Sequence, residues 1–256
     1  MEQQIGPLVA DVWHGESERF TAPMLLVHGL WDSADAWRRF AGFLGHRGWH
    51  CIAPHLRGRR GDEPAGRFEE HLSDLRAVIV ALDARPVIIG HDLGALLALH
   101  TASAARAVVA LSPLVPLPVA AQPPAALARA GNWWQRWRGR ARSAPAGRWR
   151  GEYPAHGLLE PAALLRQLGE EPFGGPRAAG TPALVLAGEA DRVTPLEAAR
   201  ALAERAGAEL LVCAESGHGL PVDANWKRTV SIVHRWIIQR LGAALLELYE
   251  EEPEER

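Results

Sequence analysis

Cysteine is scarce in this 256-residue chain: Cys51 and Cys213 are the only two. Each lies in an apolar segment, which reads as a small buried thiol and excludes a disulfide framework or a cysteine metal centre. Lysine is rarer still, with Lys227 alone among 28 basic residues, an imbalance that carries no functional argument. Net charge is nearly absent as well, at −2. A basic protein that binds nucleic acid along its whole length is excluded. The longest apolar run, Ala107 to Ala121, is broken by Ser112, Pro113, Pro116 and Pro118 and falls short of the ~20 residues a membrane span needs. No basic segment precedes an apolar stretch at the N-terminus, so a secretory signal is not expected and a cytoplasmic location is.

What is present is a globular balance, 48% hydrophobic and 23% charged. The length suits one α/β domain with an appendage. Short apolar runs at Met24 to Val27, Cys51 to Ala53, Val87 to Ile89, Ala107 to Leu111, Ala183 to Ala187 and Leu210 to Cys213 read as strands. Helical patterns fall between them at Ala34 to His46, Phe68 to Leu82, Leu93 to Ala105, Pro195 to Ala206 and Ala224 to Leu245. This alternation predicts a mostly parallel sheet with helices on both faces. Thr194, Pro195 and Glu197 read as a capping box at one helix start.

One stretch breaks the alternation. Between Pro113 and Gly180 lie ten of the 19 prolines and four of the ten tryptophans, with no strand pattern and with seven arginines from Arg129 to Arg150. It reads as an inserted helical lid over the strand ends, where open α/β sheets place ligands. The expected division is a core of residues 1–112 and 181–256 and a lid of 113–180. Within the lid, Trp133-Trp-Gln-Arg-Trp-Arg-Gly-Arg140 mixes rings and cations as lipid- or base-binding segments do. The alternative is tryptophans packed over an apolar pocket with arginines facing water. The acidic Glu250 to Glu255 run reads as a solvated tail.

The chemistry concentrates in Gly90-His91-Asp92-Leu93-Gly94, at a strand-to-helix junction. Two glycines around one reactive side chain are what a sharp turn needs, and such a turn holds the side chain out over the sheet. The segment resembles the nucleophile elbow of the α/β-hydrolase family, with Asp92 in the nucleophile's place. Leu25-Leu-Val-His-Gly-Leu-Trp31 looks like that family's oxyanion loop, which makes the N–H groups of Leu30 and Leu93 the two donors. Leu186-Ala-Gly-Glu-Ala-Asp-Arg-Val-Thr-Pro195 resembles the strand end presenting the acid, Asp191. Ser216-Gly-His-Gly-Leu-Pro221 looks like the loop of the general base, His218. Taken singly, Asp92 is also a good helix cap and Asp191 a good turn residue. His28, His91 and His100 read as loop-shaping or structural.

Aspartate in place of serine changes the reaction. A carboxylate with a reference pKa near ~3.9 is anionic at neutral pH and attacks an sp³ carbon directly. His218, oriented by Asp191, then activates water against the resulting Asp92 ester. Within the family this resembles epoxide hydrolases and haloalkane or haloacetate dehalogenases, which need no cofactor or metal. Leu93 replaces the halide-binding tryptophan or carboxylate-binding arginine of the dehalogenases, and Trp31 the proline of the epoxide hydrolase H-G-x-P loop. Tyr153 and His156 are the lid's candidate proton donors. Trp31, Trp133, Trp134 and Trp137 are candidate substrate contacts. The reading favoured is hydrolysis of a small apolar epoxide; a dehalogenase, or a drifted fold whose lid binds lipid or another ligand, are the alternatives.

Overall fold

A computed structural model of the chain describes residues 1–15, 19–60, 67–115, 142–143, 159–170, 178 and 180–246. Ten strands appear among them: β1 Glu2–Ile5, β2 Leu8–Trp13, β3 Met24–Val27, β4 Cys51–Pro54, β5 Val87–His91, β6 Ala107–Leu111, β7 Arg142–Ser143, β8 Leu159–Glu160, β9 Ala183–Gly188 and β10 Glu209–Cys213. The α-helices are α1 Arg38–Gly45, α2 Phe68–Val80, α3 Leu93–His100, α4 Ala162–Glu170, α5 Leu196–Ala206 and α6 Trp226–Leu246. Eight strands form one sheet in the order β1-β2-β4-β3-β5-β6-β9-β10, antiparallel at β1/β2 and β2/β4 and parallel elsewhere.

The central strands β3, β4, β5, β6 and β9 read as near-unbroken apolar runs because both faces of the sheet are covered there. Alternate residues of β3 divide between two cores: Leu25 and Val27 pack with α2, α3 and α5, Met24 and Leu26 with α1 and α6. Helix α3 runs through the first core with every residue from Leu93 to Leu99 buried. Its apolar character all round is what a buried helix requires. Truncating Leu97 there to alanine is expected to cost ~2–5 kcal/mol.

The sheet order fixes where a site can form. The chain leaves β3 toward β4 on one side, and leaves β5 toward β6 on the other. Their connections part at the carboxyl ends of these neighbouring strands, which opens a crevice there. Register aligns Val27 with Gly90 and Gly90 with Ala110, so the loops after β3, β5 and β6 meet at that end.

Several local expectations change. The first helical segment divides into a 3₁₀ turn, Ala34–Trp37, and α1. Helix α3 ends at His100 because the Thr101 hydroxyl and N–H close onto Leu97 and Ala98 carbonyls, and a 3₁₀ turn Ala102–Ala104 follows. The Thr194–Glu197 capping box does not form. Pro195 takes the cap position without a side-chain bond, and the Thr194 hydroxyl donates instead to the Pro113 carbonyl at 2.9 Å. The β1–β2 hairpin was not among the expected strands. Residues 113–180 do contain strand: β7 and β8 pair antiparallel. Helix α4 from the same stretch is tied to α2, Gln167 accepting the Phe68 N–H at 2.8 Å and donating to Glu69 at 3.0 Å.

Candidate active site

Asp92 is the hinge between β5 and α3, with φ 53° and ψ −114°, and is fully buried. A non-glycine residue in that region stores ~1–3 kcal/mol of strain. The turn closes only because Gly94 lacks a Cβ, which would stand 2.1 Å from the Val27 carbonyl oxygen. The Asp92 side chain does not cap α3. Its Oδ2 accepts the Leu30 N–H at 3.0 Å across the crevice. Gly29 permits this approach, since a Cβ there would lie 2.6 Å from the Asp92 Cβ.

Asp191 and His218 arrive from the loops after β9 and β10, which are joined by an Ala190 N–H to Ser216 carbonyl bond of 2.9 Å. Oδ1 of Asp191 accepts the N–H groups of Val193 and Thr194 at 2.8 and 2.9 Å, forming the turn that the sequence permits. Its Oδ2 accepts from His218 Nδ1 at 2.8 Å. With Nδ1 as donor, His218 turns Nε2 toward Asp92 Oδ1, 3.7 Å away. Burial by itself raises the Asp191 carboxyl, but the charge and hydrogen bond of His218 and the two N–H groups outweigh it and hold it below its ordinary value. Burial likewise opposes the His218 imidazolium, yet Asp191 and then Asp92 more than compensate, and its pKa stands above the usual 6.5.

The remaining expected residues fall as follows. His91 Nε2 donates to the His218 carbonyl at 2.9 Å, so it shapes the base's loop. His28 uses both nitrogens, Nδ1 donating to the Gly29 carbonyl at 2.9 Å and Nε2 accepting the Leu56 N–H at 3.1 Å. Burial, reinforced by Arg59, holds His28 well below the ordinary histidine range. His100 packs edge-on to Phe68 with ring centroids 5.2 Å apart. Leu93 opens α3, where a helix's first N–H groups lack intrahelical partners. Trp31 sits beside Leu30 and is buried. Trp133, Trp134, Trp137, Tyr153 and His156 lie outside the described residues.

Two residues at the site were not anticipated. Glu160 is 1% exposed, and its Oε1 accepts the Trp31 N–H at 2.7 Å and a bond from Arg59 Nη2. Arg59 also donates through Nε to the Asp32 carbonyl at 2.7 Å. Burial raises the Glu160 carboxyl, and the charge of Asp92 adds to that, against the pull of Arg59 and the Trp31 N–H. No periodicity links positions so far apart. Among the described residues one group has metal-ligand character, Glu2, Asp11 and His55, whose ligand atoms lie within 4.8 Å of one another. It stands on the β1–β2 edge, with Glu2 ion-paired to Arg60 and His55 Nε2 lying 3.5 Å from Asp11 Oδ2.

Residues 24–232 match the sequence model of the alpha/beta hydrolase family, and the chain belongs to that family. Similar solved structures include a monoacylglycerol lipase from Paleococcus ferrophilus, with 21% identity over 91% of this chain and 99% of that one and a TM-score of 0.68. A thermophilic esterase from Thermogutta terrifontis is 19% identical over 94% and 99%, with a TM-score of 0.70. The haloalkane dehalogenase DbeA from Bradyrhizobium elkani is 19% identical over 95% and 98%, with a TM-score of 0.66. At these identities the likeness is one of fold. Comparison with curated protein sequences gives no match. Among the described residues no helix is long and apolar enough to cross a membrane.

Proposed function

We propose that this chain is a cofactor-independent hydrolase in which Asp92 is a covalent nucleophile and the substrate a small apolar epoxide. The observation that carries the reading is the division of labour between the Asp92 oxygens. Oδ2 rests on the Leu30 N–H at 3.0 Å, while Oδ1 faces His218 Nε2. Attack through Oδ1 on an epoxide carbon forms the C–O bond of an ester and breaks the ring C–O bond. The alkoxide released is a strong base and takes a proton, from Tyr153 or His156 in this reading, since a tyrosine near its reference pKa of ~10 is protonated at neutral pH. His218 Nε2 then removes a proton from water, whose oxygen attacks Cγ of Asp92. Charge develops on Oδ2, already seated against its donor Leu30, with the Leu93 N–H as the second. Collapse breaks the bond between Cγ and the ester oxygen, and His218 gives its proton to that departing oxygen of the diol. The second proton of the water, left on the Asp92 carboxyl, goes back to the lid donor, which restores both the carboxylate and the acid.

Ester hydrolysis fits this residue poorly. A carboxylate attacking an ester carbonyl must expel an alkoxide and form a mixed anhydride, an uphill exchange. A carboxylate substrate is also disfavoured, because Leu93 carries no charge and Arg59 is engaged by Glu160 and the Asp32 carbonyl. In this reading residues 113–180 form the lid, Trp31, Trp133, Trp134 and Trp137 bound the pocket, and the enzyme works in the cytoplasm on a small molecule.

A single turnover in H₂¹⁸O with enzyme in excess tests the proposal. Label is expected in the peptide containing Asp92 before it reaches the diol. Label in first-turnover product with none in that peptide would mean that water attacks the substrate directly. Tyr153→Phe is expected to slow alkylation far more than it weakens binding. Halide release from haloalkanes, with every epoxide refused, would move the assignment to a dehalogenase of the same mechanism.

A further inference from the structure

Leu30 and Trp31 are consecutive, and their N–H groups are each taken by a carboxylate from a distant part of the chain. Leu30 donates to Asp92 and Trp31 to Glu160. Trp31 has φ 54°, the left-handed region that a bulky residue enters only when held there. A left-handed residue turns successive N–H groups toward one side, where they form a small anion-binding concavity. Here that concavity is shared between two buried carboxylates.

We infer that Glu160 is a positioning residue that locks the oxyanion loop, holding Trp31 in its strained conformation so that the Leu30 N–H stays aimed at Asp92 Oδ2. Three segments meet at this lock. Glu160 comes from β8, Arg59 from the loop after β4, and residues 30–32 from the loop after β3. Arg59 binds Glu160 through Nη2 and the Asp32 carbonyl through Nε, so one guanidinium ties the lock to both ends of the turn. The Arg59 side chain is 2% and the Glu160 side chain 1% exposed. A buried ion pair contributes little net stability, because desolvation offsets its attraction. Its value here is geometric: it fixes an acceptor at the one place where the Trp31 N–H must point. Burial is what chiefly raises the Glu160 carboxyl, and the nearby charge of Asp92 adds a smaller push in the same direction.

The consequence for catalysis rests on Asp92 being the nucleophile; the lock itself does not. The Leu30 donor serves the oxyanion of ester resolution, so loss of the lock slows that step while alkylation by Oδ1 continues. The test compares Glu160→Ala and Glu160→Gln by residue-resolved amide exchange. In Glu160→Ala the Leu30 and Trp31 amides are expected to exchange more than tenfold faster, with Ile88 and Ile89 in β5 unchanged. Glu160→Gln keeps an acceptor and should return both to within a few-fold of wild type, with a residual rise at Trp31. Unchanged Leu30 exchange in Glu160→Ala, or an equal rise throughout β5, overturns the inference. If Glu160→Ala does not fold, Glu160→Gln decides alone: a rise confined to Trp31 supports the lock and no rise there overturns it. In a second arm, 1,2-epoxyhexane and intact-mass detection should reveal an adduct that persists about tenfold longer in Glu160→Ala. Turnover of 1,2-epoxyhexane by the wild type in H₂¹⁸O with no label in the peptide containing Asp92 counts against the nucleophile reading and leaves the exchange result standing.

Discussion

Oδ2 of Asp92 accepts the Leu30 N–H at 3.0 Å. The central carboxylate therefore occupies the position where the site places a donor for developing negative charge, and its two oxygens are inequivalent before any substrate arrives. Only Oδ1 is left facing His218.

Asp92→Asn preserves this posture, because its amide oxygen can replace Oδ2. We expect a folded protein whose alkylation rate falls by roughly 10³-fold or more, the scale on which nucleophile removal acts. His218 should titrate at lower pH in this variant, since Asp92 helps raise it. An imidazole titration followed by NMR checks the direction; an unchanged His218 would refute the coupling.

His218→Gln should accumulate an alkyl adduct on Asp92, visible by intact-protein mass spectrometry, because attack by a carboxylate needs no base and resolution does. Asp191→Asn should show a milder form. The same logic fixes the pH dependence. His218 must be neutral at Nε2, and its pKa lies above 6.5. Resolution should slow as pH falls through that value while alkylation persists, so adduct builds up in wild type on the acid side. Loss of adduct formation itself in His218→Gln would reassign the histidine.

Gly29→Ala should damage activity more than stability. The added Cβ meets the Asp92 Cβ at 2.6 Å and Oδ2 at 2.9 Å, so the loop or the carboxylate must shift. A variant with an intact melting transition and at least tenfold slower turnover is expected; wild-type turnover would show that the loop yields without consequence.

Acid should weaken the fold through His71. Burial, then the charge of Arg59, lowers its pKa from 6.5 to about 4, and among the described residues neither buried ring nitrogen has a hydrogen-bond partner. The folded pKa lies below the unfolded one, so the unfolded chain takes up the proton first. Stability from this group is complete above ~6.5 and is lost as pH falls toward 4, by ~3 kcal/mol. His218 works in the opposite sense, stabilising below its unfolded pKa and losing that contribution as pH rises through its folded value. Denaturant unfolding of His71→Phe between pH 4 and 7 should give a flatter profile than wild type.

Thr194→Val should cost ~1 kcal/mol by deleting its bond to the Pro113 carbonyl. Glu197→Ala should be near neutral. The reverse ranking in chemical denaturation would restore the capping box.

The sheet and the elbow could be read from the chain because their causes are local. A strand buried on both faces must be apolar at every position, and Met24–Val27, Val87–His91 and Ala107–Leu111 are or nearly are. A turn with φ 53° at Asp92 needs small neighbours, and Gly90 and Gly94 announce it. The β1–β2 hairpin escaped because Val9 and Trp13 blur the alternation of Leu8, Ala10 and Val12 on a strand whose other face is only half-buried. Thr194 carried a valid local signal that lost to an acceptor 81 residues away. Only the fold could supply the lock of Arg59 and Glu160, which meet across 101 residues without period or motif. A hydrogen bond between distant side chains leaves no pattern in the sequence, since its geometry exists only once the strand order has brought the loops together.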